Sequence, residues 1–304
     1  MTEAVSKAIS LSALTLRGGI APITHQVDTT VAVQVGPTRF TNRLRTLVRQ
    51  TLVRRSAEGY LIGVEVLETT QQATDLFSQV TGDLNELSQQ LLVRADAQGR
   101  LVQVANGPDL LRRWALLRPR LLLKYAGQPS VLAFLEAYER QLAVPGTLEQ
   151  SLFEKGIYGA LFPGVYGQPL STTEGVQRPR NLPNFFNQLA LPLLLTTRAS
   201  PAPPAAPAAV VQLTTTGHLH EARFDRLAFE RMMRDIVDDS TFEVALSVAH
   251  SETCVVDLAS GWLLSGTQSL VAEVPGAYYQ ETTHTIRLAD GASLPLGIFP
   301  GAGE

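Results

Sequence analysis

The sequence predicts an α+β protein in which a curved, mostly antiparallel β-sheet is backed by a central layer of helices. Strand-like segments with alternating apolar residues occupy both ends of the 304-residue chain, and most of the helical periodicity lies between them. Grouped strands and grouped helices are typical of antiparallel sheets, whereas parallel sheets need strict alternation. We expect both strand groups to join in one domain, 1–304. Two domains, 1–167 and 209–304, are the alternative.

The N-terminal strand group contains the most regular alternation of the chain, from Val27 to Val35, which Gly36 ends. Residues 9–17 alternate less regularly and predict a strand with a bulge. Phe40–Arg55 fits either a helical stripe or a strand, and its threonines favour the strand. Residues 39–55 carry only basic charges and residues 56–90 only acidic ones. This division predicts ion pairs between neighbouring strands.

The segment Leu91–Leu123 joins the two kinds of structure. Asp96 and Gly99 lie between two apolar runs, and an Asp followed by a Gly favours a tight hairpin turn. Pro108 suits the first turn of the helix that follows. The apolar stripe of this helix consists of Leu110, Trp114, Leu117 and Leu121.

The helix just described should extend over 110–124, although Pro119 should kink it or end it early. Three other helices are expected, at about 72–89, at 129–142 and from Thr147, which begins a capping-box pattern. Prolines at 169, 179, 183 and 192 predict that 168–208 is an irregular loop, in which the low-complexity run 200–207 acts as a linker. After it we expect a helix at 225–237 and the second strand group, which ends with 278–288.

Composition excludes several classes of protein. The chain is 45% hydrophobic and 17% charged, which is typical of a globular protein, and its net charge of −3 argues against a nucleic-acid binder. The single Cys254 excludes an intramolecular disulfide, and we expect it to be a buried apolar side chain. No apolar run is long enough to span a membrane, and the N-terminus lacks the pattern of a signal peptide. The expected location is the cytoplasm.

Catalytic and nucleotide-binding motifs are absent from the sequence, so we expect no enzyme activity, no catalytic residues and no cofactor. His218 and His220 would share one face of a strand, as metal ligands can, but no third ligand lies at a motif spacing, so no metal site is expected. We expect His25, His250 and His284 to face solvent or to form hydrogen bonds.

Two groups of residues are candidates for binding a partner or ligand. Tyr158, Phe162 and Tyr166 lie among glycines, and aromatic residues on a pliant backbone suit such contacts. The alternative is a packed crossing between a helix and a loop. Arg39, Arg43 and Arg45 could bind an anionic partner, unless the acidic strand beside them neutralises them.

Three stretches together resemble an uncharacterised group of bacterial proteins: the hairpin from Asp96 to Asn106 with the following Trp114 helix, the stretch Ile157–Gly167, and the turn from Val256 to Trp262. Some relatives of this pattern look like lipoprotein carriers, whose curved antiparallel sheet is backed by helices. The resemblance implies such a fold and no catalytic residues. It also implies an association with gene clusters for contractile injection or toxin delivery.

Three hypotheses for function follow. The first is a non-enzymatic interaction protein, an accessory or adaptor in a larger bacterial assembly with a protein partner. The second is a carrier that binds an apolar small molecule within the curved sheet. The third is a hydrolase with a site built from scattered residues.

Overall fold

A computed structural model describes most of the chain. The described ranges are 10–11, 13–17, 21–72, 76–144, 146–153, 156–186, 189–200 and 210–289. The predicted linker 200–207 lies outside them except for Ser200.

Thirteen strands and six α-helices form the described part of the chain. The strands are β1 Ser10–Leu11, β2 Ile23–Val35, β3 Thr38–Ser56, β4 Gly59–Gln71, β5 Gln90–Asp96, β6 Leu101–Val104, β7 Leu170–Ser171, β8 Val176–Phe186, β9 Leu189–Ser200, β10 Val210–Leu219, β11 Ser247–Asp257, β12 Leu263–Val274 and β13 Tyr278–Leu288. The helices are α1 Leu76–Leu84, α2 Gly107–Lys124, α3 Pro129–Ala143, α4 Thr147–Phe153, α5 Gly156–Leu161 and α6 Arg226–Val237.

Eleven of the strands form one antiparallel sheet in the order β6-β5-β4-β3-β2-β13-β12-β11-β10-β9-β8. The N-terminal and C-terminal strand groups meet where β2 pairs with β13, from Val35 with Tyr278 to His25 with Leu288. This confirms an α+β fold with a mostly antiparallel sheet to which both ends of the chain contribute. Helices α2 to α5 lie between β6 and β7 in the chain, as the central helical segment that the sequence predicted.

The sheet is open, and its two edge strands approach each other. Arg100 and Leu101, at the start of β6, line the same small cavity as Arg178 and Arg180 of β8. Strands at opposite ends of an eleven-stranded sheet share a cavity only if the sheet bends round, as sheet twist favours. Helix α5 covers the inner side of this bend and contacts β2, β12 and β13.

The prediction that 168–208 is irregular was wrong for 176–186 and 189–200, which form two strands, whereas 187–188 and 201–208 lie outside the described residues. Strands β8 and β9 form a hairpin in this range, and Leu191, Leu193 and Leu195 of β9 are fully buried. The prolines of β8 are tolerated because β8 is an edge strand, where a missing N–H costs few ladder bonds. Pro192 lies in β9 but outside the segment that pairs with β10, because that pairing begins at Leu193.

Other predicted elements agree more closely with the structure. Phe40–Arg55 is a strand, and Arg49 pairs with Glu65 of the acidic neighbouring strand at 3.1 Å. Helix α2 does not end at Pro119 but continues to Lys124. Helix α1 is shorter than predicted, and of residues 9–17 only Ser10 and Leu11 form a strand among those described.

The hairpin between β5 and β6 has the predicted turn chemistry. The Asp96 carboxylate accepts hydrogen bonds from the backbone N–H groups of Gln98 and Arg100, both at 2.9 Å. Gly99 has a φ of +79°, which glycine adopts without strain. The buried residues of α2 are the predicted stripe of Leu110, Trp114, Leu117 and Leu121.

Candidate functional site

Six buried polar side chains form a continuous row across the inner face of the sheet. Each lies directly opposite the next on the neighbouring strand, from β2 to β9. The members of this polar row are Thr29, His284, Gln268, Glu252, Thr215 and Thr197. Leu213, Val256 and Ile286 belong to the apolar cluster on one side of the row. Leu193 and Ala272 belong to the cluster on the other side.

Hydrogen bonds connect neighbouring members of the row, as buried polar groups require. Thr29 Oγ1 lies 2.9 Å from His284 Nδ1, and the hydroxyls of Thr197 and Thr215 lie 2.8 Å apart. Gln268 Nε2 donates to Glu252 Oε2 at 3.5 Å. The row therefore holds a polar layer together inside an otherwise apolar core.

Glu252 is the charged centre of the polar row, and its side chain is 3% exposed. Burial acts to raise the pKa of this carboxyl, but the neighbouring His250 and the charges of Arg180 and Arg178 outweigh it and hold the pKa below its usual value. Cys254 Sγ donates to Glu252 Oε1 at 3.2 Å. Burial raises the pKa of this thiol, so Cys254 is protonated and packs as the predicted buried side chain.

Three histidines of the sheet, His25, His250 and His284, are buried rather than exposed to solvent. His25 Nε2 donates to the Leu263 carbonyl at 2.7 Å, and His284 forms a hydrogen bond with Thr29. Both therefore form hydrogen bonds, which was one of the two predicted possibilities. His250 meets neither alternative. Its Nε2 lies 3.6 Å from Glu252 Oε2, too far for a hydrogen bond, and neither ring nitrogen has a hydrogen-bond partner among the described residues.

Acid is expected to destabilise the protein through His284. Burial, with a smaller contribution from the charge of Arg180, lowers the pKa of His284 from 6.5 to about 4. Below pH 6.5 the unfolded chain binds a proton that the folded chain does not, so stability falls as the pH decreases towards 4. Between pH 6.5 and 5 the loss should be roughly 2 kcal/mol. Urea unfolding at a series of pH values measures it.

The His284→Asn variant should lose the part of this pH dependence that comes from His284, whatever its own stability at pH 7. A smaller dependence should remain, because burial also lowers the pKa of His25. His218→Asn is the matched control, because His218 is exposed on β10 and its replacement should leave the pH dependence unchanged. Equal pH dependence in His284→Asn and the unmodified protein would show that His284 is not the group responsible.

A groove lined by both apolar and polar residues runs along β6, between this edge strand and helices α2, α3 and α4. Its volume is about 880 Å³, within the range of small-molecule sites. Val102, Leu111 and Val144 line it and are 55%, 47% and 56% exposed. Glu149 also lines the groove and accepts a hydrogen bond from the backbone N–H of Val104 at 3.2 Å.

The cavity between the two sheet edges is smaller, about 140 Å³, and three arginines line it: Arg100, directly before β6, and Arg178 and Arg180 from β8. Arg178 Nη2 donates to the carbonyl of Pro163 at 2.6 Å. Arg100 Nε donates to Asp96 Oδ2 at 2.8 Å. We call this space the arginine cavity. Leu101 lines both the arginine cavity and the groove, so the two adjoin.

Tyr158, Phe162 and Tyr166 lie in the core, against the inner face of the sheet. Tyr166 donates a hydrogen bond to the Gly261 carbonyl at 2.8 Å, and its ring packs edge-on against Tyr60. Burial raises the pKa of both Tyr158 and Tyr166. This placement agrees with the packed crossing that the sequence left as the alternative. Of the three, Phe162 also lines the arginine cavity.

Arg39, Arg43 and Arg45 are exposed on the opposite face of β3, away from the aromatic group. Arg45 Nε lies 2.8 Å from Asp28 of β2, which Arg287 of β13 also approaches at 3.6 Å. The partner of Arg45 is thus not on the acidic strand that the sequence indicated. The structure does not bring the two predicted groups together, and their roles in binding stay predictions.

Sequence reasoning missed both the polar row and the arginine cavity. One signal for the row was present. Val248, His250, Glu252, Cys254 and Val256 share one face of β11, so the polar residues interrupt the apolar, inward side of an alternating strand. No comparable signal marked the arginines, because Arg100 and Arg178 come from strands at opposite edges of the sheet.

Two other features of the described residues bear on function. None of their helices combines the length and the apolar character that crossing a membrane requires. Nowhere in the described ranges do three or more His, Cys, Asp or Glu side chains come together in a way that could hold a metal ion.

Neither a protein-family model nor a curated protein sequence matches this chain. A solved structure described as "Lipid-protein interactions in lipovitellin" is similar over 92% of this chain, with 9% sequence identity and a TM-score of 0.48. The chain spans 26% of the length of that protein. A TM-score in this range does not establish a common fold, and the function of this chain does not follow from it.

Proposed function

We propose that this protein is a carrier that binds an apolar ligand in the groove along β6. The observation behind the proposal is the combination of apolar groove walls with exposed side chains, Val102, Leu111 and Val144, on three different segments. Covering such side chains removes apolar surface from water, at about 25 cal/mol per Å². A flexible apolar chain could cover all three at once.

A second space extends the groove between the helices. It has a volume of about 200 Å³ and shares Leu110 and Leu148 with the groove. Phe134, Tyr138 and Leu152 also line it. Its walls are mostly apolar, which suits the end of a hydrocarbon chain better than a polar group.

This location differs from the carrier hypothesis drawn from the sequence, which placed the ligand inside the curved sheet. Tyr158, Leu161 and Tyr166 pack into the apolar cluster on the inner face, together with side chains of the sheet. A ligand there would have to displace them, whereas the groove along β6 is open.

A neutral amphiphile such as 1-decanol should bind to the protein, and the Leu111→Glu variant should bind it at least about tenfold more weakly, because a carboxylate in the apolar wall opposes burial of the ligand. Isothermal titration calorimetry measures both affinities. Native mass spectrometry and lipid extraction of freshly purified protein would show any ligand that is already bound.

Leu116→Glu is the matched control, because Leu116 lies on the same helix, is 78% exposed and is not among the residues that line the groove. It should bind 1-decanol as the unmodified protein does. Equal weakening in both variants, or no binding by the unmodified protein, would contradict the proposal.

An adaptor role in a larger bacterial assembly and a hydrolase site stay predictions from the sequence, as do the absence of enzyme activity and the cytoplasmic location. The groove favours the carrier over both alternatives, because it offers a site for an apolar molecule and needs no reactive group.

A further inference from the structure

We propose that the arginine cavity binds the anionic head group of the ligand whose apolar chain occupies the groove along β6. This inference rests on the proposed carrier function and names the class of ligand, a single-chain amphiphile with a carboxylate or phosphate head. Two features support it: three arginine side chains line a small cavity, and Leu101 lines both this cavity and the groove.

The three arginine side chains come from the two edges of the open sheet and line one cavity of about 140 Å³. Arginine forms paired hydrogen bonds with carboxylate and phosphate groups, since its planar N–H donors match the geometry of their oxygens. Asn181 also lines the cavity and offers an amide group. A cavity of this size and chemistry suits an oxyanion better than an apolar group.

The loop after α5 brings two of the arginines together. Gly164 has a φ of +67°, and a Cβ atom there would lie 2.7 Å from Arg100 Cγ and 2.8 Å from Arg178 Nη1. Its backbone therefore lies against both side chains, and a larger residue would push them apart. The bond from Arg178 to the Pro163 carbonyl fixes the second arginine on the same loop.

Acidic groups near the cavity offset part of its positive charge. Asp96 forms an ion pair with Arg100 at 2.7 Å, and Arg178 and Arg180 act on the buried Glu252 of the polar row. These carboxylates hold the arginines close together despite their mutual repulsion.

Leu101 lines both spaces, so the proposed head and tail sites are neighbours in the structure. Phe162 adds an apolar wall to the arginine cavity. An amphiphile with its head at the arginines would thus lead its first methylene groups past Leu101 and along β6. At the far end of β6, Glu149 lines the groove and would repel a second anionic group. This arrangement favours a ligand with one charged end.

The test compares decanoate with 1-decanol, which have the same chain length but differ in head-group charge, by isothermal titration calorimetry at pH 7.5 and constant ionic strength. Decanoate should bind at least about tenfold more tightly. Arg100→Gln and Arg180→Gln should each remove most of this advantage, because they should weaken the binding of decanoate more than that of 1-decanol. Arg39→Gln, which alters an exposed arginine outside the cavity, should change neither affinity.

The outcomes separate the two proposals. Equal affinity for decanoate and 1-decanol would overturn the inference and leave the carrier function standing, whereas no binding of either would overturn both. Acetate in a third titration distinguishes a head-group site from a site for free anions. If acetate bound as tightly as decanoate, the proposal that the ligand is an amphiphile would be overturned. Arg100→Gln keeps the test valid if Arg180→Gln fails to fold, because the Arg100 side chain is half exposed.

Discussion

Replacing Glu252 with alanine is expected to destabilise the protein by about 3–5 kcal/mol, because removal of one member of a buried charged group leaves its partners uncompensated. The change removes the acceptor for Cys254 and Gln268 and the carboxylate beside His250. It also removes the negative charge on which Arg178 and Arg180 act. Urea unfolding at pH 7 measures the loss.

Glu273→Ala is the matched control for this variant. Glu273 lies on the neighbouring strand β12 but is exposed, so its replacement should change stability by no more than about 0.5 kcal/mol. If Glu252→Ala costs no more than this control, the polar row does not depend on a buried charge.

Replacing Gly99 with alanine should destabilise the protein by about 3 kcal/mol, through the combined effects of backbone strain and overpacking. Gly99 has a φ of +79°, which disfavours any side chain. An added Cβ would also meet the ring of Tyr166, with Cε2 at 2.6 Å. Tyr166 is fully packed between the sheet and the loop, so the ring cannot move aside without breaking its bond to Gly261.

Gly36→Ala separates the two contributions to this effect. Gly36 also has a positive φ, +53°, but no atom lies within 4 Å of an added Cβ. This control should cost only the backbone strain, about 1 kcal/mol. Thermal unfolding of both variants gives the difference, and equal losses would show that the contact with Tyr166 contributes nothing.

The hairpin that contains Gly99 could be predicted because its information is local. An aspartate whose side chain bonds the following backbone N–H groups and a glycine with positive φ specify the turn in any surroundings. The range 168–208 could not be predicted in the same way. Prolines disfavour a central strand, and only the position of β8 at the edge of the sheet makes the two prolines of that strand acceptable.

Local sequence patterns could not predict the candidate site either, because it depends on contacts between distant segments. The aromatic residues Tyr158 and Tyr166 attracted attention as possible contacts, but aromatic residues beside glycines suit a core as well as a surface. The arginines of β8 lie in a segment that the sequence indicated to be irregular. Their approach to Arg100 depends on how far the whole sheet bends.

By itself, the sequence determined the α+β class, most strands and helices, the β5–β6 turn and the apolar stripe of α2, because periodicity and turn chemistry act over a few residues. Only the tertiary structure decided which side chains meet. Thr29 bonds His284, 255 positions away, because β2 and β13 pair in one particular register. Arg100 lines a cavity with Arg178 because the two edges of an open sheet approach each other. Contacts of this kind depend on the path of the whole chain, which no short pattern encodes.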